Sequence, residues 1–295
     1  MNKRTIAVTL LLVCAFGMAV HAAIPGAVNA VWEQMKADGV EQRAGYDKAL
    51  GVFVIAKGEV EITGSKAKAQ TNAQLFYDFG SDRKFVTLTL EMFKADKWGN
   101  TYFFVDHDFN YDDHVEGSNL APGGSYLEIA RCINLWQESA LKNFSLQVEY
   151  NGGITRSYPI NNAWLFGVDY FLHDKTFRNT LNLKALYKTI RKRNSSIPMQ
   201  LTAVWTCKDL FGLTGLTFNG FADFWWETHQ CDFKEDGSSD TRHTVFLSEP
   251  QLWYNVGRHF GVDNLNVGTE IELTQNFGST GGFKCRPCLG VKWDF

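Results

Sequence analysis

Four groupings of side chains in this sequence have the types and spacing to do chemistry. The densest is "DHDFNYDDHVE" (Asp106–Glu116), with five acids and two histidines. Carboxylates and imidazoles are metal-binding donors, but so acidic a run is more simply a solvated loop. No glycine-rich phosphate loop or zinc-binding helix motif accompanies it. The second grouping is "CRPC" (Cys285–Cys288), a lone CxxC where a structural zinc site would use a second pair. The third is a serine and a histidine, Ser248 and His107, which form a nucleophile and base only if the fold brings them together.

A fourth grouping is spread along the chain. Carboxylates and rings recur at alternate positions: Phe76 and Asp78, Glu91, Tyr102, Phe104, Asp106 and Asp108, Glu128, Glu149 and Asp169. The series continues through Asp223, Trp225, Glu249, Trp253, Glu270 and Glu272. Rings stack on flat bases, and carboxylates accept protons from sugar hydroxyls, so this set suits a neutral nucleoside. The same acids could equally form a structural ion-pair network with Lys184, Lys188, Lys208 and Lys292, and the rings could be filler. Unpaired charges stay ionised only where water reaches them, which favours a wet bore over a packed core. The expected substrate-binding set is therefore Phe76, Asp78, Glu91, Tyr102, Phe104, Asp106, Glu128, Glu149, Asp223, Trp225, Glu249, Trp253 and Glu272. No metal and no cofactor is expected.

The elements that must position these residues are strands. In "RKFVTLTLEMF", Val86, Leu88, Leu90 and Met92 share one face and Phe85, Thr87, Thr89 and Glu91 the other. Such segments recur at roughly 72–80, 83–93, 98–109, 124–135, 143–151, 160–171, 177–189, 199–208, 214–227, 243–255, 264–276 and 286–295. Most are about nine to thirteen residues, the length a tilted strand needs to cross a bilayer, whereas sandwich strands run about five or six. Lipid offers no backbone partner, so the strands must close on themselves. The fold expected is all-β: a transmembrane antiparallel barrel of about 12 strands, with long polar loops at one end and tight turns at the other. Trp98, Trp136, Trp205 and Trp293 fall near strand ends, as interfacial aromatic girdles do. Parity fails at Arg131 and His107, which fall on the apolar face, so either a bulge resets the register or both sit near an interface.

Residues 1–22 read as a secretory signal, with Lys3 and Arg4 before an apolar run and "VHA" before Ala23. Its removal makes the net charge more negative than −3, which argues against a nucleic-acid partner. Cys132, Cys207, Cys231, Cys285 and Cys288 remain, too few and odd in number for a disulfide framework. Residues 23–71 break the barrel rhythm. "PGAVNAVWEQMKADG" puts Val28, Val31, Trp32 and Met35 on one helical stripe, and "GVFVIAKGEVEI" is too short for two spanning strands. The segment reads as a short α/β appendage in the periplasm or a plug, ahead of a barrel at 72–295.

The closing decapeptide "RPCLGVKWDF" alternates to its end and resembles the terminal signal of outer-membrane barrels, with Trp293 and Phe295 toward lipid. "LFYDFGSDRKFVTLTLEMFKADKWGNTYFFVDHDFN" (Leu75–Asn110) resembles the Tsx-like family of nucleoside-specific outer-membrane channels, and "GSYLEIARCINL" (Gly124–Leu135) looks like that family's strand with a Glu-Ile pair after an aromatic residue. Ala130 departs from the second acid expected there. The resemblance implies a monomeric twelve-stranded channel in the bacterial outer membrane that passes nucleosides or similar small solutes by diffusion. Its partners would be those solutes, outer-membrane lipids and the barrel-assembly machinery. The alternatives are a channel for another small or hydrophobic solute and a phospholipase-type barrel enzyme, for which strands three and ten would have to bring His107 and Ser248 together. Replacing Phe295 with Asp is expected to block membrane insertion. Heat-modifiable outer-membrane protein at parental levels would contradict it.

Overall fold

A strand with every second residue apolar can satisfy lipid on one face only if its backbone is paired on both edges. In the computed structural model, which describes residues 44–47, 52–57, 60–61, 69–81, 83–109, 122–155 and 159–295, that pairing is complete around a ring. The chain divides into two compact units, residues 1–66 and 67–295. In the first, Ala44–Asp47, Val52–Lys57 and Val60–Glu61 form a small antiparallel meander, with Ala44 opposite Ile55 and Lys57 opposite Val60. The signal sequence and the helix expected over "PGAVNAVWEQMKADG" lie outside the described residues.

The second unit is the barrel. Its strands are β1 (Gln70–Asp78), β2 (Val86–Asp96), β3 (Gly99–Phe109), β4 (Pro122–Ile133), β5 (Phe144–Thr155) and β6 (Pro159–His173). They continue as β7 (Asn179–Ile190), β8 (Met199–Lys208), β9 (Leu216–Cys231), β10 (Asp240–Ser248 and Gln251–Tyr254), β11 (Leu265–Gln275) and β12 (Phe283–Asp294). Every neighbour is antiparallel, and β12 pairs with β1 (Asp294 opposite Asn72, Cys288 opposite Asp78), closing a 12-strand barrel. The backbone N–H of Phe295 extends the seam by donating to Thr71 O at 2.8 Å. The two segments of β10 are one strand broken at Glu249–Pro250, because the register with β9 and with β11 is the same on both sides of the break. Proline has no N–H to give the ladder, and Gly220 on β9 makes room for it. A Cβ on Gly220, whose φ is +150°, would lie 2.9 Å from Pro250 Cα.

All twelve expected segments are strands, with differences at their ends. The barrel begins at Gln70 rather than residue 72. The glycine-containing stretch "NGGITRSYP" is mostly strand, since β5 runs on to Thr155 and β6 starts at Pro159. A register shift between Asn151 and Gly153 carries the ladder through the two glycines, which sequence alone reads as a turn. Nor are all connections tight at the end that holds Gln70 and Phe295, called the base here. Residues 134–143 and 255–264 are both long there. The first is folded on itself by Asn134, whose Nδ2 donates to Lys142 O at 2.5 Å and whose Oδ1 accepts from Trp136 N at 3.1 Å.

The outer wall is apolar and exposed: Leu75 (51%), Trp164 (48%) and Leu289 (59%) all point away from the lumen. Trp98, Trp136, Trp205 and Trp293 lie at the base, and Tyr77, Tyr150, Trp164 and Trp226 form a second aromatic band toward the opposite end, the mouth. Tyr150 and Trp164 touch, with ring centroids 5.0 Å apart. Two aromatic girdles bounding an apolar band are the mark of a barrel in lipid.

Inside, Gly268 on β11 and Gly290 on β12 face each other beneath the Trp253 ring. A Cβ at Gly268 would lie 2.5 Å from Trp253 Cε3, and one at Gly290 would lie 2.6 Å from Phe76 Cδ1. Gly290→Val is therefore expected to lower stability by about 1–3 kcal/mol. Unfolding in detergent followed by tryptophan fluorescence checks this, and an unshifted midpoint would contradict the packing.

Candidate functional site

Cross-strand partners in an antiparallel ladder point to the same face, so the register assigns each side chain to wall or lumen. By that register Phe76, Asp78, Glu91, Tyr102, Phe104, Asp106, Glu128, Glu149, Asp223, Trp225, Glu249, Trp253 and Glu272 all face the lumen. So do Asp108, Asp169 and Glu270. The register is unbroken at Arg131 and His107, so both do project outward, at opposite ends of the barrel. Arg131 sits at the base rim, paired with Asp96 at 2.7 Å, and His107 packs edge-on to Phe109 beside the mouth. No bulge lies between the two residues, and each falls near the end of its strand.

Three of the sequence groupings come apart. Asp106 and Asp108 take hydrogen bonds inside the lumen from Thr89 (2.6 Å) and Thr87 (2.8 Å), while His107 points the other way, and residues 110–121 lie outside the described residues. Cys285 is outward and Cys288 inward, so "CRPC" cannot share one disulfide or one metal ion. His107 on β3 and Ser248 on β10 are five strand spacings apart around the ring, roughly 24 Å. The Ser248 hydroxyl donates to Phe221 O at 2.7 Å.

Near the base, Trp253 is 1% exposed and packs against Phe76, with centroids 5.5 Å apart. Its indole N–H donates to Gln251 Oε1 (2.8 Å), and Gln251 Nε2 donates to Glu270 Oε2 (2.6 Å). The Lys292 ammonium lies 4.7 Å from the ring centroid. Toward the mouth on the same side, Arg83 bridges Asp78 (2.9 Å) and Glu272 (2.5 Å), and Arg286 bonds the other oxygen of Glu272 at 2.5 Å. Glu272 and Arg286 are both buried, so each charge depends on its partner.

The facing wall repeats the scheme. Tyr102, Phe104 and Tyr126 form a row of half-buried rings, with centroids 6.1 and 6.0 Å apart. Beside them Glu128 accepts from Tyr126 (2.7 Å) and from Asn151 (3.0 Å). Glu149 accepts from Gln147 (2.6 Å), Asp169 from Asn182 (2.8 Å) and Asp223 from Thr202 (2.5 Å). Lys188 donates to Gln200 (2.5 Å) and holds its ammonium 3.8 Å from the Trp225 centroid. One apolar sector, Ala163, Leu165, Leu186 and Ile190, interrupts this polar surface.

Two expectations change as a result. Trp225 and Trp253 are buried, each with a lysine over its ring, so they are wall components rather than open stacking platforms. Phe104, flanked by tyrosines, keeps an accessible ring. The amides Gln74, Gln147 and Asn151, which donate to Glu91, Glu149 and Glu128, are not in the expected binding set, because they carry no charge. They share the parity of the acids and could have been found by it. Arg83 precedes β2 but shares the parity of Phe85, Thr87 and Glu91, which points it to the lumen.

Residues 69–295 match the family described as Domain of unknown function (DUF5020). The chain belongs to that family. The match is to DUF5020 and not to the Tsx-like channels. Among curated proteins none matches the sequence. Among solved structures this DUF5020 barrel is similar to the NanC porin (TM-score 0.46, 10% identity, covering 76% of this chain and 100% of that one). It is also similar to outer membrane phospholipase A from Escherichia coli (0.45, 10%, 76% and 92%) and to the outer membrane channel DcaP of Acinetobacter baumannii (0.37, 11%, 79% and 99%). These likenesses assign neither solute nor activity.

Glu272→Ala leaves Arg286 and Arg83 without the carboxylate they share. A loss of about 3–5 kcal/mol is expected where such a pair is fully buried, and less where lumen water reaches it. Loss of heat-modifiable mobility at a lower temperature than the parent checks this. An unchanged transition would show the network to be dispensable.

Proposed function

We propose that the barrel is an outer-membrane channel through which small polar solutes, nucleosides foremost, diffuse down their gradient. The observation that carries this reading is the lumen wall: a largely polar surface, broken by two small apolar clusters, whose carboxylates are held by amides and hydroxyls. Twelve tilted strands about 4.8 Å apart enclose roughly 25 Å between backbones. A solute the size of a base and sugar would have to pass between the side chains of the two walls. The DUF5020 match names no activity, so the nucleoside choice rests on residues.

The ring row Tyr102, Phe104 and Tyr126 supports that choice, because Asp106 and Glu128 lie on the same two strands. A base stacked on Phe104 would place its ribose hydroxyls toward those carboxylates. The wall also suits other neutral polyols, since carboxylate acceptors do not discriminate among hydroxyls. The stacked ring is what sets a nucleoside apart.

Ion current through the purified protein in planar bilayers tests both levels. Adenosine is expected to block the open channel and ribose to block far less. Base stacking contributes roughly 1–3 kcal/mol, so Phe104→Ala should weaken block about five- to a hundredfold. Trp253→Ala should act mainly on stability, because its ring is covered. Equal inertness of adenosine and ribose on a conducting parent would overturn the nucleoside reading, and a parent without conductance would overturn the channel.

A further inference from the structure

The connection between β11 and β12, residues 276–282, reaches over the inner wall at the mouth. Its Phe277 ring meets Trp225, with centroids 6.2 Å apart and planes at 89°. Trp225 projects inward from β9, and β10 lies between β9 and β11. To reach Trp225, the Phe277 side chain must cross the inner face of β10, where Val245 is buried at 2% exposure.

Both flanks of the segment are fastened. Asn276, in a left-handed conformation (φ 55°), donates its N–H to Gly282 O at 3.1 Å and accepts from Gly282 N on Oδ1 at 3.0 Å. Its Nδ2 donates to Thr244 O (3.2 Å), and its carbonyl lies 2.9 Å from His229 Nε2. On the other flank Asp232 donates its N–H to Ser279 O at 2.9 Å and accepts from Gly281 N at 2.8 Å. Gly278 and Gly282, at φ 63° and 74°, take left-handed conformations that residues with a Cβ adopt only with strain. So dense a set of local bonds holds the loop against the β9–β10 hairpin instead of leaving it free above the mouth.

Beyond Trp225 the same layer continues. Trp225 Nε1 donates to Glu227 Oε2 (2.9 Å), Arg193 pairs with Glu227 at 3.3 Å, and Lys188 caps the ring from β7. Lys188, Gln200, Trp225, Val245 and Phe277 thus line the mouth from β7 round to β11.

We infer that Phe277 is a specificity-determining residue of the channel. Its ring, seated on the buried Trp225, narrows the bore at the mouth and sets the size of solute that passes. This rests on the channel reading above. The constriction is narrow because a phenyl ring projects into the bore, and constant because its loop is tied at both flanks.

The test is polymer exclusion in planar bilayers, using neutral polyethylene glycols of graded size against the open-channel current of the full-length protein. Phe277→Ala is expected to raise conductance roughly twofold and to admit larger polymers, since pore width sets both. Phe277→Trp should lower conductance and the size limit. Asn276→Ala, which frees one flank, should add current fluctuations that the parent lacks. Parental conductance and size limit in both Phe277 variants would overturn the inference while leaving the channel standing. A parent that conducts nothing would overturn the channel and the constriction together, so the two failures are distinguishable.

Discussion

The ladder that joins β12 to β1 is the contact on which the rest of the molecule depends. Without it, two rows of N–H and C=O groups would face hydrocarbon, at several kcal/mol for each group left unpaired. Closing the ring fixes the register of every strand, since a slip of one residue anywhere would turn a whole strand's carboxylates toward lipid. Asp294 opposite Asn72 and Cys288 opposite Asp78 state that register at the seam. The alternation in the sequence and the closure of the backbone are thus one constraint seen at two scales.

The lumen follows from the same constraint. Once apolar residues are committed to lipid, the polar half of each strand has nowhere to go but inward, and charges gathered there must find partners. The structure supplies them in layers. Arginines bridge acids near the mouth (Arg83 and Arg286 on Glu272), amides and hydroxyls hold Glu128, Glu149, Asp169 and Asp223, and lysines lie on the two lumenal tryptophans. This network stiffens the wall, and it also sets which rings a solute can touch. Trp253 and Trp225 are taken up by structure, whereas Phe104 keeps its face.

Strand number, wall polarity and the inward position of every expected carboxylate were legible because period two survives from the sequence into the ladder along most of each strand. Val86 to Met92 against Phe85 to Glu91 is enough to orient β2. What was hidden has a physical reason in each case. The continuation of β5 through Gly152–Gly153 depends on a register shift that no composition signals. The covering of Trp225 and Trp253 depends on lysines from other strands, Lys188 on β7 and Lys292 on β12, and so on three-dimensional proximity. The inward course of residues 276–282 was invisible for the same reason: "FGSTGG" reads as any glycine-rich loop until its bonds to Thr244, His229 and Asp232 are known.

The proposed channel requires one face of each strand to meet lipid and the other to meet lumen water. Single spin labels at successive positions 101–108 on β3, in protein reconstituted into bilayers, test it most directly through collision rates with oxygen and with a water-soluble nickel chelate. Oxygen accessibility should peak at 101, 103, 105 and 107 and nickel accessibility at 102, 104, 106 and 108, the two profiles exactly out of step with a period of two. Profiles that rise and fall together, or a nickel reagent that reaches both faces equally, would show a water-exposed sheet and contradict the account.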